Sequence, residues 1–342
     1  MRPILRFLGA ILAALLGMAR LLEQDGAERS RRRRGLTVLA YHRVCPHDPA
    51  TYALDDDLVS TTPEAFDAQV RWVKGEYDVM SFAELGKLWP SGPLPARPLI
   101  MTFDDGYRDN YDVALPILAH HRIPATLFLS TADIGRGDLF WFDKVACWIK
   151  RTRQTKVVLR GSTVHEYAID QNRSAVVRSV QNIMKAADER TFEDLMHQLE
   201  RQLDVELEDV DRGRPLTWDE ARQMQASNVE LGSHTESHLN LARLSAERLD
   251  TELRRSKAKI EAETDSEVLA LAYPFGTPDA YSDVVREAAI RAGYRFAVAY
   301  GGTVNDLPSM DAFAVQRVAV ERDTTLDLFR AQLRYPRLLQ GR

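Results

Sequence analysis

The sequence predicts an α/β fold with a mostly parallel sheet, open or closed into a barrel. Three observations carry this. From Leu36 onward, short apolar runs alternate with longer amphipathic ones. The runs are continuous rather than alternating, as expected of strands buried on both faces. Helix-start signals stand before the amphipathic stretches, and strand-helix alternation of this kind builds parallel sheets. A chain of 342 residues, 45% hydrophobic and 28% charged, is long enough for one large or two ordinary domains. Its net charge of −5 lacks the basic excess of a nucleic-acid binder. The two cysteines, Cys45 and Cys147, are too few for a disulfide framework and read as buried fillers.

Residues 1–35 differ from the rest. Phe7 to Ala19 is an uncharged run of thirteen residues, short of the roughly 20 that a span needs. No A-x-A-like cleavage site follows it. Ile4, Leu8, Ile11, Leu15, Met18 and Leu22 share one helical stripe, and Arg29 and Arg31 to Arg34 follow. The pattern suits an interfacial helix beside anionic headgroups, or else a basic linker. Residues 1–35 are read as membrane-associating, on a side left open.

The strands expected next are LTVLAY (36–41), PLIMTF (98–103), ATLFLS (125–130), NVELGS (228–233), VLALAY (268–273), FAVAY (296–300) and VQRVAV (315–320). Between them, Thr62 and Pro63 open one helix, Ser81 and Glu84 have capping-box spacing for another, and 109–120, 245–262 and 281–292 supply more. Residues 138–213 break the rhythm with an apolar helix, a hairpin and charged helices over 174–203. They read as an insertion that walls one side of the site and carries no obvious chemistry.

Two stretches hold the candidate chemistry. In LIMTFDDGYRDN, a strand ends directly in Asp104 and Asp105, two like charges that require something positive beside them. In VELGSHTESHLNL, His234 and His238 follow another strand at a four-residue spacing that points both imidazoles the same way. One carboxylate with two imidazoles is a three-ligand set with open positions, the pattern of a catalytic zinc site.

TFDDGY together with SHTESH resembles the first two motifs of the polysaccharide deacetylases, the NodB-homology family of carbohydrate esterases. A third family motif, R-x-P-[FY], is matched in LAYPFG by Pro274 and Phe275, while Ala272 stands where the arginine would be. LAYHRV resembles the tyrosine-histidine motif of the exopolysaccharide-associated branch. The resemblance covers most of 36–320 and implies a distorted (β/α) barrel of the NodB type over 36–342. It implies one divalent metal, zinc with cobalt or nickel as options, on Asp105, His234 and His238. It makes Asp104 the general base toward water, and the Phe275 N–H a donor to the oxyanion, worth about 3 kcal/mol for one such bond. No histidine follows His238 to supply the C-terminal motif of many relatives, and the resemblance of LAYHRV to the exopolysaccharide-associated branch implies His42 as the candidate general acid. Arg317, inside the last strand, is the candidate partner of Asp104 in place of the missing arginine, since a buried arginine needs a partner. Tyr41, Tyr107, Trp141 and Trp218 read as core.

The function expected is N-deacetylation of N-acetylhexosamine residues in a bacterial polysaccharide or glycan precursor, by a membrane-associated enzyme. The alternatives are an amide C–N hydrolase of a small metabolite and a catalytically silent glycan-binding protein.

Overall fold

The computed structural model describes residues 35–169, 172–207 and 213–335 of the chain. The membrane-associating segment expected over 1–35 therefore lies outside them, apart from Gly35.

Seven strands build the parallel frame of one curled sheet: β1 (Gly35–Tyr41), β2 (Pro98–Phe103), β3 (Ala125–Leu129), β6 (Val229–Ser233), β7 (Ala270–Ala272), β8 (Phe296–Val298) and β9 (Val318–Ala319), in the order β8-β7-β6-β3-β2-β1-β9. Two two-residue segments join its edges, Asp78–Val79 parallel to β2 and Asn305–Asp306 antiparallel to β1. The strands β4 (Lys156–Arg160) and β5 (Val164–Ala168) form a separate antiparallel hairpin. The last strand segment closes the ring. Val318 and Ala319 pair with Leu39 and Ala40 of β1, and three residues earlier Val315 bridges Val298 of β8. This is the distorted (β/α) barrel.

β9 is shorter than the 315–320 run for a local reason. The Asn305 side chain accepts from the Gln316 N–H at 2.7 Å and donates to the Gln316 carbonyl at 2.9 Å, taking the bonds that a ladder would use.

Alternate strand residues enter two cores, as period-two geometry requires. Leu36, Val38, Ile100, Phe128, Ala270 and Phe296 fill the inside, where Phe82 and Leu85 of α2 (Phe82–Leu88) plug one end. Leu39, Tyr41, Leu99, Met101 and Phe103 face outward, under α1 (Pro63–Glu76), α7 (Trp218–Ala226) and α8 (Ala246–Thr264). Gly232 is required by this packing, because a Cβ there would lie 2.5 Å from the Phe128 ring. Thr62 caps α1 with Pro63 at its first position, and Ser81 with Glu84 forms the capping box of α2. The run expected over 109–120 opens with a π-helical turn, Asn110–Ala114, before α3 (Leu115–His121). Helices α9 (Asp283–Arg291) and α10 (Leu326–Arg334) complete the outer layer.

After β3 the chain leaves the sheet and returns as β6, which pairs directly with β3. The excursion holds α4 (Trp141–Arg151), the β4-β5 hairpin, α5 (Arg173–Ala186) and α6 (Glu189–Leu203) around its own apolar cluster. Tyr107, next to the carboxylate pair, belongs to that cluster, so the excursion packs on the site's own loop. Tyr41, Tyr107 and Trp141 are buried, as are both cysteines, while Trp218 is half-buried at the core's edge.

A buried ion pair fixes the loop after β1. Arg43, 1% exposed, donates through Nε to Asp109 at 2.7 Å and lies over the Tyr107 ring at 4.4 Å. Removing one partner of a buried pair strands the other charge. Arg43→Ala is expected to lower unfolding stability by about 3–5 kcal/mol, read from the urea midpoint.

Candidate active site

The site lies at the strand ends that follow β1, β2, β6 and β7. Ile100, Thr102 and Asp104 share the inward face of the β2 path, so the strand's own alternation aims Asp104 into the barrel mouth. The chain then turns sharply. Asp105 and Gly106 both have positive φ, 74° and 93°, and a Cβ on Gly106 would lie 2.8 Å from Leu129. Glycine is thus required there.

Asp104 is 2% exposed and held by a two-pronged bond: Arg317 Nη1 to Oδ1 at 2.7 Å and Nη2 to Oδ2 at 2.8 Å. Arg317, itself buried, also donates to the Ala299 carbonyl at 2.8 Å and the Thr102 hydroxyl at 3.1 Å. Burial alone would raise the Asp104 pKa. The Arg317 charge and bonds, aided by His234, outweigh it and hold the carboxyl well below the usual range. The arginine contact comes from the closing strand segment, while Ala272 occupies the motif position on β7.

Asp105 is the opposite case. Both of its buried oxygens lack a hydrogen-bond partner among the described residues. Burial, with the Asp104 charge next, pushes its pKa well above normal. Around it stand two imidazoles, with Nε2 of His234 at 3.5 Å and Nε2 of His238 at 3.4 Å from Oδ1. One donor atom from each of the three residues falls within a sphere of mutual distances under 4.8 Å. His234 Nδ1 lies 2.8 Å from the Ala272 carbonyl, the bond that fixes the tautomer with its Nε2 lone pair free. Burial lowers both histidine pKa values, so the rings are neutral, the form that binds cations. An orphaned buried carboxylate facing two neutral imidazoles fits a divalent cation, and these three residues could hold one.

His42 follows β1. Its N–H donates to Ser60 Oγ at 2.9 Å, and its carbonyl accepts from Asn110 at 2.8 Å. Nε2 stands 3.8 Å from Asp104 Oδ2. Burial lowers its pKa to about 4, so the resting ring is neutral. Phe275, with φ of 64°, packs its ring against His238 at 5.0 Å, and its N–H takes no part in the hydrogen bonds of the described residues. Asp104, Arg317, Asp105, His234 and His238 share a cavity of about 610 Å³ with His42, Tyr300, Phe275 and residues of α5.

The loop carrying the histidines is strained. Thr235 and His238 have φ of 69° and 52°, unfavourable for any side chain and most for a β-branched one. Glu252 of α8, fully buried, holds it by accepting from the Glu236 and Ser237 N–H groups at 2.8 and 2.9 Å. Arg248 pairs with Glu252 at 2.8 Å and with Glu189 of the excursion at 2.7 Å. Neither residue was singled out by the motifs. The signal available is an acid on the buried stripe of α8, beside Leu249, Leu253 and Ile260. Glu252→Ala is expected to weaken divalent-cation affinity by about 10–100-fold, measured by chelator competition on protein whose circular dichroism is unchanged.

A model of the family described as polysaccharide deacetylase matches residues 91–297. Over 110 residues the chain is 34% identical to a Staphylococcus epidermidis protein named poly-beta-1,6-N-acetyl-D-glucosamine N-deacetylase, covering 29% of this chain and 37% of that protein. The match thus spans little more than a third of that relative. Among solved structures, the Streptococcus pyogenes deacetylase PplD in complex with acetate superposes with a TM-score of 0.57 at 17% identity, over 87% of this chain and 98% of that one. IcaB from Ammonifex degensii gives 0.56 at 17%, over 88% and 97%. These two show the fold. With the family match covering more than half its length, the chain belongs to the polysaccharide deacetylase family.

Proposed function

We propose that the protein is a metal-dependent hydrolase that removes N-acetyl groups from N-acetylhexosamine residues of a bacterial polysaccharide or glycan precursor. The observation that carries this is the buried carboxylate pair with divided roles: Asp104 neutralised by Arg317, Asp105 bare before two imidazoles. The name of the Staphylococcus epidermidis relative supports the choice of sugar. A cavity of about 610 Å³ with Phe275 and Tyr300 among its walls suits a sugar chain better than a small amide.

Asp105, His234 and His238 would hold a divalent cation, zinc before cobalt or nickel, whose charge would polarise water and an acyl oxygen. Asp104, kept ionised by Arg317, takes the proton of the attacking water. The Phe275 N–H donates to the acyl oxygen as charge develops there. His42 is neutral at rest, so it acts as a carrier: it receives a proton from the Asp104 side, 3.8 Å away, and delivers it to the departing amine. Acetate and the free amino sugar result. Residues 36–342 form the deacetylase domain with 138–213 inserted, and residues 1–35 bring it to a membrane surface where glycans are assembled or exported. The apolar stripe and arginine run support that last assignment. Among the described residues no helix is long and apolar enough to cross a membrane.

Acetate release from a panel of N-acetylated glycans and small amide metabolites, with and without chelator, tests the proposal. Asp104→Ala is expected to keep bound metal and lose at least about a hundredfold in rate. Alanine at Asp105, His234 or His238 is expected to lose metal and activity together. Undiminished acetate release by Asp104→Ala would overturn the mechanism.

A further inference from the structure

Helix α5 belongs to the excursion, and its polar stripe lines the active-site cavity, with Gln181 buried, Lys185 half-buried and Arg178 and Asn182 exposed at the rim. Arg178, Gln181, Asn182 and Lys185, at i, i+3, i+4 and i+7, all line that cavity. The opposite stripe, Val176, Val177, Val180 and Met184, is buried in the excursion's own core. Two stripe residues are already committed. Gln181 donates to Asp55 at 2.8 Å and to the Phe142 carbonyl at 3.1 Å, and Arg178 stands 3.7 Å from Asp57.

Lys185 is not committed. Its ammonium forms no hydrogen bond or ion pair among the described residues and lies over the Phe275 ring, 5.1 Å from its centroid. The carbonyl of Lys185 is tied down by Asn240 at 3.0 Å, so the side chain springs from a fixed point. Burial lowers its pKa, against the pull of Asp55 and Asp57, which is the state of a desolvated cation short of acceptors. An ammonium has three donors and no acceptor, so its natural ligands are oxygens. His238 packs on the same Phe275 ring at 5.0 Å, which sets Lys185 one aromatic ring away from the candidate metal ligands. Lys185 lines the same cavity as those ligands without being one of them.

We propose that the polar stripe of α5 forms a second sugar subsite, in which Lys185 and Asn182 bind hydroxyl oxygens of the residue next to the one being deacetylated. The inference rests on the glycan reading above and narrows it: the substrate is a chain of at least two sugars, and Lys185 is the residue that measures its length.

The test compares N-acetylglucosamine with its di- and trisaccharide, by acetate release and by calorimetric binding, in the wild type, Lys185→Met, Lys185→Arg and Asn182→Ala. In the wild type, kcat/KM is expected to rise at least about tenfold from the monosaccharide to the trisaccharide, through KM. Lys185→Met is expected to erase most of that gain, with a smaller loss on the monosaccharide, and Lys185→Arg to restore part of it. Absence of any chain-length gain in the wild type, or an equal loss on all three sugars in Lys185→Met, would overturn the subsite. If no sugar releases acetate, the proposed function fails, and binding still decides the subsite. Trisaccharide bound more tightly than monosaccharide, with that margin lost in Lys185→Met, supports it; equal binding overturns it.

Discussion

Two adjacent carboxylates buried at one strand end are the constraint around which this molecule is arranged. Leaving either ionised without a counter-charge would cost several kcal/mol. Asp104 receives its counter-charge from Arg317, which reaches it only because the last strand segment closes the ring between β8 and β1. Closure of the barrel is therefore an electrostatic requirement as well as a matter of backbone pairing. Asp105 receives no cation from the chain itself, and the imidazoles that surround it are neutral and add lone pairs, not charge. One carboxylate is satisfied permanently and its neighbour is reserved. That asymmetry lets the proposed base, Asp104, and the proposed cation ligand, Asp105, stand side by side without competing for the same ion.

The reservation is maintained by strain. Asp105, Thr235, His238 and Phe275 all hold left-handed backbone, each at a cost that the surroundings must over-determine. Ser130 donates to the Asp105 carbonyl at 3.1 Å, Thr131 and Ala132 to those of Thr235 and Glu236, and Glu252 accepts from two amides of the same loop. The loop after β3 thus bridges the two ligand loops. A site whose geometry is fixed in advance by backbone bonds of this kind loses little freedom when it takes up a cation.

Much of this was legible in the sequence, and the limits have physical causes. The continuous apolar runs marked the seven strands of the parallel frame, since burial on both faces leaves a clear trace, but not the two-residue segment Asp78–Val79 beside β2, which is too short and polar to carry one. The carboxylate pair and the histidine pair stood out because their spacing serves no core. Arg317 could be suspected from the cost of an arginine within an apolar run, but its reach to Asp104 depends on ring closure, which no local pattern encodes. The truncation of β9 hung on a single side chain, Asn305, acting across 11 residues. Glu252 and the α5 stripe were invisible for a shared reason: a polar residue on a helix ordinarily faces water, and only the packing shows that these face a loop and a cavity.

The excursion is more than a cover. Its apolar cluster includes Tyr107, two residues beyond Asp105, whose hydroxyl donates to Asp143 of α4 at 2.6 Å. Trp141 donates to the His238 carbonyl at 3.3 Å, and Glu189 pairs with Arg248, which in turn braces Glu252. Each ligand loop therefore carries at least one contact from α4 or α6. A wall bonded to the ligand loops cannot tilt without disturbing them, and α5, its cavity face, is tied to the same frame by Gln181 to Asp55 and by Asn240 to the Lys185 carbonyl. Any discrimination that α5 exerts on the proposed glycan would accordingly act through a surface braced on both ligand loops, sorting substrates by the oxygens they present.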